Sequence, residues 1–147
     1  MRVTADYPPI WLGGFVLAGW MVGRVAPQGP GWLAGAGLAA ALTGLALMLW
    51  AAWTMHRAHT TLDPHGQPRH LVTGGPFRLS RNPIYLADAL ILAGLCLAFR
   101  APLAALPLVA GFVAVIQARF IPAEEARLAR AFPEAFAAYR QRTRRWI

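Results

Sequence analysis

The sequence predicts an all-α, polytopic membrane protein, with about four transmembrane helices and a C-terminal amphipathic helix at the cytoplasmic face. Three observations carry this. Apolar residues make up 57% of the 147 positions and charged residues only 14%. Four long stretches are almost free of charge. The basic residues, all of them arginine, crowd the ends of those stretches instead of lining a polar face. The length fits one domain, 1–147.

The first stretch covers 10–25 and the second 31–55, which is uncharged throughout. The third, 84–99, is short and bounded by Pro83 and by the Arg100-Ala101-Pro102 turn. With the fourth, 102–121, it reads as a tight helical hairpin, kinked in its second arm at Pro107. A span needs about 20 apolar residues, so the second and fourth qualify most plainly. The first is not read as a signal peptide: Asp6 precedes it and no small-x-small cleavage site follows. Gly19 and Gly23, then Gly31 and Gly35, have the four-residue spacing of close helix packing. Such packing serves within or between chains alike, so oligomeric state stays open.

Four spans put both termini and the 56–83 loop on one side. That side holds Arg2, Arg57, Arg69, Arg78, Arg81, Arg119, Arg127, Arg130, Arg140, Arg142, Arg144 and Arg145; the other holds Arg24 and Arg100. The bias makes the termini and the loop cytoplasmic. The same distribution excludes nucleic-acid binding and favours anionic membrane lipids as partners. Absent lysine, with abundant Ala, Leu, Gly and Arg, points to a GC-rich bacterial gene and hence to a bacterial inner membrane. The single cysteine, Cys96, sits mid-span and reads as packing.

The 56–83 loop carries all four histidines, His56, His59, His65 and His70. No Cys or Glu spacing accompanies them and prolines interrupt the run, so no metal site is expected. Gly74-Gly75-Pro76 is a turn that either approaches a ligand or simply re-enters the membrane. Arg78 and Arg81 stand at the entrance of the third span, where arginines bind headgroup phosphates. Asn82 is placed to cap the helix, Pro83 suits its first turn, and the free N–H groups beyond favour an anion. Tyr85 lies at headgroup depth. Asp88 shares its face and either relieves the helix dipole or meets a cationic ligand or an arginine.

The tail, 122–147, opens with Glu124-Glu125, the only adjacent acids in the chain. Leu128, Phe132 and Phe136 then form an apolar stripe opposite Arg127, Arg130 and Glu134. This is an amphipathic helix lying on the membrane, broken at Pro133.

Together, "LVTGGPFRLSRNPIYL" and "EEARLARAFPEAFAAYRQRTRRWI" resemble the small integral-membrane methyltransferases related to isoprenylcysteine carboxyl methyltransferase and phospholipid methyltransferase. The resemblance covers about 60–147. It implies S-adenosylmethionine binding by Leu71, Gly75, Pro76, Phe77, Arg81, Asn82, Pro83, Tyr85 and Leu86, closed by Glu124 and Glu125. Arg81, Tyr85 and Glu125 are the residues it implies in catalysis. Phe77 stands where the family has Tyr, Asn82 where the prenylcysteine enzymes have His, and Pro133 where Gly is usual. No imidazole is therefore available at position 82, which removes the link to prenylcysteine. The acceptor implied is a lipid-like or hydrophobic carboxylate, thiol or amine entering from the bilayer; an amine would involve His56, His59 or Asp88 in losing its proton. The competing readings are an isoprenoid- or sterol-type membrane reductase using NADPH and a non-enzymatic membrane scaffold.

Overall fold

A computed structural model describes residues 6–63 and 65–147. Within them the regular structure is helical, with no strand. Helix α1 spans Pro8–Val25, α2 Trp32–Arg57, α3 Pro83–Ala98 and α4 Pro102–Arg119. The tail folds as two helices, α5 (Ile121–Ala131) and α6 (Pro133–Arg142). A single 3-10 turn covers Gly75–Arg78. Each of the six α-helices except α2 has proline in its first turn, where a missing N–H costs nothing. Pro107 lies inside α4 without ending it.

Two stretches are long and apolar enough to cross a membrane: Trp32–Arg57, and Pro102–Ala131, which carries α4 and α5. Only 17% and 22% of their apolar windows are buried, which separates them from the core helices of a soluble protein. Leu38, Leu42, Leu45, Leu49, Leu103 and Leu106 instead point outward. Outward leucines along whole helices need an apolar solvent, and the chain is a membrane protein.

The main helix contact is α2 against α3, and small residues make it. A methyl group added at Gly44 would sit 2.8 Å from Ile91 Cγ1 and 2.9 Å from the Ala87 carbonyl oxygen. Gly37 and Gly94 are seated still closer, against Ala98 and Ala41 respectively. Small residues let two backbones touch where no water is available to drive association. Of the spacings expected from the sequence, Gly19 and Gly23 do pack, against Cys96 and Phe99, with the Cys96 sulfur filling the room that Gly19 leaves. Gly31 and Gly35 meet nothing within 4 Å; the α2 seam runs instead along Gly37, Ala41 and Gly44.

The two short turns at one end are tied together. Arg100, at φ 60°, sends its guanidinium to the Gly29 carbonyl at 2.7 Å, and its own carbonyl accepts from Gln28 N–H at 2.7 Å. At the opposite end, the loop 58–82, α5, α6 and the last residues form a polar cover.

The tail departs from its expected placement. Phe132 takes φ −138°, ψ 62°, and breaks the helix before Pro133. The residue before a proline is driven out of helical geometry, so the break follows from the sequence. The stripe of Leu128, Phe132 and Phe136 does not lie along a membrane surface. Phe136 is buried with Ala51, Phe77 and Tyr139, and Leu128 and Phe132 pack on that cluster.

Candidate functional site

Beneath the polar cover lies a cavity of about 320 Å³, within the size range of small-molecule sites. Its walls come from every part of the chain that reaches this end. Met48 and Met55 belong to α2, Tyr85 and Asp88 to α3, and Glu124 and Leu128 to α5. Tyr7 and Pro8, at the start of α1, close one side, and the Tyr7 ring meets His65 of the loop edge-on at 4.9 Å.

The cover is locked by charge. Glu125 accepts from Arg81 Nε at 3.3 Å and Nη2 at 3.0 Å, and from Arg145 Nε at 3.1 Å and Nη2 at 2.5 Å. One carboxylate thus holds two guanidiniums, and the hydrogen bonds from Glu125 push the Arg145 pKa up further. Arg81 also donates through Nη1 to the Thr143 carbonyl at 2.6 Å, and its backbone N–H reaches the Arg144 carbonyl at 2.9 Å. The Arg145 carbonyl accepts from Ser80 Oγ at 3.1 Å and Asn82 Nδ2 at 3.0 Å. The segment 80–82 and the segment 143–145 are therefore laced together by backbone and side chain alike.

Asn82 does not cap α3 with its side chain, because that amide is spent on Arg145. The first α3 N–H to bond back is that of Leu86, to the Asn82 carbonyl, so Ile84 and Tyr85 precede the first intrahelical bond. The Tyr85 hydroxyl donates to Glu124 Oε1 at 2.6 Å, bridging α3 and α5 across the cavity. Asp88, 4% exposed, lies three residues deeper on the same helix.

Of the residues expected from the sequence, Leu71, Phe77, Arg81, Asn82, Pro83, Tyr85, Glu124 and Glu125 line the cavity. Gly75, Pro76 and Leu86 do not. Gly75, at φ +56°, has its missing side chain 3.0 Å from Thr54 Oγ1, so its freedom lets the turn seat on α2 and not on a ligand. Pro76 is buried beneath that turn, and Leu86 faces away from the cavity. Arg81 was expected to stand as a counter-charge for an anion; its guanidinium is already occupied by the tail.

Sequence reasoning missed Tyr139, Thr143 and Arg145. The Tyr139 hydroxyl donates to the Phe77 carbonyl at 2.6 Å and fixes α6 on the 3-10 turn. Burial pushes its pKa up to about 12, with the Arg81 charge acting against the rise, so the phenol stays a donor. Its signal was the three-residue spacing from Phe136, which puts both rings on one face of α6. Nothing in "RTRRW" distinguished Arg145 from its neighbours.

A bundle of apolar helices capped by a charged cover, with a ligand-sized cavity between, defines a membrane protein that handles a small molecule at its polar boundary. The chain belongs to the phospholipid methyltransferase family, whose pattern it matches over residues 32–135. No curated protein and no solved structure matches it. The matched region takes in α2, the loop, α3, α4 and both glutamates. It leaves out α1 and the latch around Arg145.

Proposed function

We propose that this chain is an integral-membrane, S-adenosylmethionine-dependent methyltransferase acting on a lipid-like or hydrophobic acceptor. Membership of the methyltransferase family supports the class and takes the ground from the reductase and scaffold readings. The observation that carries the assignment to a site is the joining of the two distant sequence blocks around one cavity, by Arg81–Glu125 and Tyr85–Glu124.

The residues present suit such a donor. Phe77 and Met55 offer an apolar wall for a flat base. Glu124 offers a carboxylate for an ammonium or hydroxyl group, and the first turn of α3 offers N–H groups for a carboxylate. Bound there, S-adenosylmethionine supplies a methyl group already activated by its sulfonium. The chain needs only to orient the partners and keep water out, and orientation alone is worth about 7–11 kcal/mol in favourable cases. The Tyr85–Glu124 bridge and the buried Phe136–Tyr139 cluster do both.

In the membrane, α1–α4 act as four spans, with the cover, both termini and the arginine-rich side in the cytoplasm. The donor enters from water through the loop, and the acceptor from the bilayer. The test is mass spectrometry of material extracted from the purified chain, with transfer of labelled methyl into a lipid extract. S-adenosylmethionine or its demethylated product, together with labelled lipid, is the expected result. A nicotinamide cofactor, or no transfer to any acceptor, would refute the proposal.

A further inference from the structure

We infer that Asp88 is the specificity-determining residue of the acceptor site, and that the acceptor it selects is a hydrophobic primary or secondary amine. The geometry begins with depth. Asp88 lies five residues past Pro83, about 7–8 Å into the span at the helical rise, and it lines the cavity while only 4% exposed. Among the described residues it has no hydrogen bond and no ion pair. Arg81 and Arg145, the guanidiniums of the cover, are both held by Glu125.

Dipole relief does not account for it. The first turn of α3 contains no acidic residue, since Asp88 falls in the second turn, and the dipole effect fades within the first. A carboxylate inside a membrane helix is costly unless something pairs with it. The partner therefore has to come from the cavity, and it has to be a cation or a donor.

The surroundings narrow the choice. Glu124 faces the same cavity, so a carboxylate or thiolate acceptor would meet two acidic groups in a region of low dielectric. An ammonium would be attracted by both. Met48 lies on α2 nine residues before Arg57, about 13 Å from that helix end, and continues the cavity beyond Asp88 as apolar wall. An occupant with its nitrogen at Asp88 can thus place a hydrocarbon chain towards Met48.

For the transfer itself, which alone rests on the methyltransferase reading, the balance is as follows. The ammonium yields one proton to the Asp88 carboxylate. The freed nitrogen lone pair forms a bond to the donor methyl carbon, and the carbon–sulfur bond breaks with its electron pair left on sulfur. The products are an N-methylated ammonium and a neutral thioether. Asp88 then loses its proton to water through the loop side of the cavity, where Asp63 and His70 are exposed.

The test uses the full chain in nanodiscs, with dodecylamine, dodecanethiol and dodecanoate as probes. Two readouts are taken: labelled methyl transfer, and protection of Asp88 from a hydrophobic carbodiimide, mapped by mass spectrometry with no methyl donor present. Dodecylamine should protect Asp88 and be the favoured acceptor. Asp88→Asn should lower transfer to the amine about a hundredfold, the scale of removing one member of a buried ion pair, and Asp88→Glu should restore part of it. Equal protection by dodecanoate, or amine transfer unchanged in Asp88→Asn, would overturn the inference. Transfer to the thiol or acid alone would also overturn it while leaving the methyltransferase reading intact. Protection by the amine without transfer to any probe would uphold the amine site and refute the methyltransferase reading. Carbodiimide protection is read on the unaltered chain, so it stands whether or not the variants fold.

Discussion

Arg81 Nη2 lies 3.0 Å from Glu125 Oε1, closing a loop of 44 residues with a pair whose side chains are only 11% and 12% exposed. The contact joins the entrance of α3 to the first turns of α5. It converts two separate sequence blocks into one wall.

Arg81→Ala removes that partner and also abandons the Thr143 carbonyl. Breaking a buried pair costs about 3–5 kcal/mol, and Arg145 on the same carboxylate should hold the loss to the lower end. The expected outcome is loss of S-adenosylmethionine binding by calorimetry together with a clearly lower melting temperature in detergent. Lost binding with an unchanged melting temperature would make Arg81 a ligand contact and not a strut.

Arg145→Ala leaves Arg81 in place but frees the end of the chain. About 1–2 kcal/mol of stability should be lost, as for charge-assisted hydrogen bonds removed one at a time. Limited proteolysis should cut after Arg140 or Arg142 sooner than in the parent. Protection identical to the parent would mean the latch is held by Ser80 and Asn82 alone.

Tyr85→Phe keeps the packing of α3 and deletes only the bond to Glu124. Methyl-transfer rate should fall about tenfold or more, since a hydrogen bond to a charged group is worth about 1.5–3 kcal/mol. The melting temperature should move by only a few degrees. Full activity in Tyr85→Phe would remove this residue from the site.

Tyr139 gives a signature in alkali. Its folded pKa, pushed up to about 12, lies above the ordinary 10.0. The stability it contributes is complete below pH 10 and is lost as pH climbs through about 12. Melting temperature recorded from pH 9 to about 12 should fall more steeply for the parent than for Tyr139→Phe, which has no proton to lose. Parallel curves would show that the phenol does not hold α6 on the Phe77 carbonyl.

Gly44→Leu forces bulk between α2 and α3, where even a methyl group would stand 2.8 Å from Ile91. Overpacking costs about 1–3 kcal/mol or more, so yield in detergent and melting temperature should both drop. Gly35→Leu, which meets open space, should leave both unchanged.

Helix placement was legible because apolar run length and proline position are local properties. The 84–99 stretch became Pro83–Ala98 and the 102–121 stretch became Pro102–Arg119. The meeting of Arg81 with Glu125 was legible less directly, as two polar blocks on one side of the bundle. Side-chain assignment was harder. Gly75 and Asn82 were read as facing a ligand, yet Gly75 seats on Thr54 and Asn82 on the Arg145 carbonyl. Both partners are remote in sequence and chemically ordinary, so no local pattern marks them. The apolar stripe of the tail was visible, but periodicity alone does not say whether Phe136 faces lipid or Phe77. Asp88 was seen as an acid in an apolar run, and only its burial without a partner gave it weight.

The glycine seam between α2 and α3 also settles where the molecule yields. Two helices in backbone contact at Gly37, Gly44 and Gly94 can neither pivot nor slide without collision, so they form a stiff spine. The polar cover is fastened instead by a handful of exchangeable bonds. Traffic into and out of the cavity is therefore gated at the cover, and a cross-link between 81 and 125 would stall turnover where one between 37 and 98 would pass unnoticed.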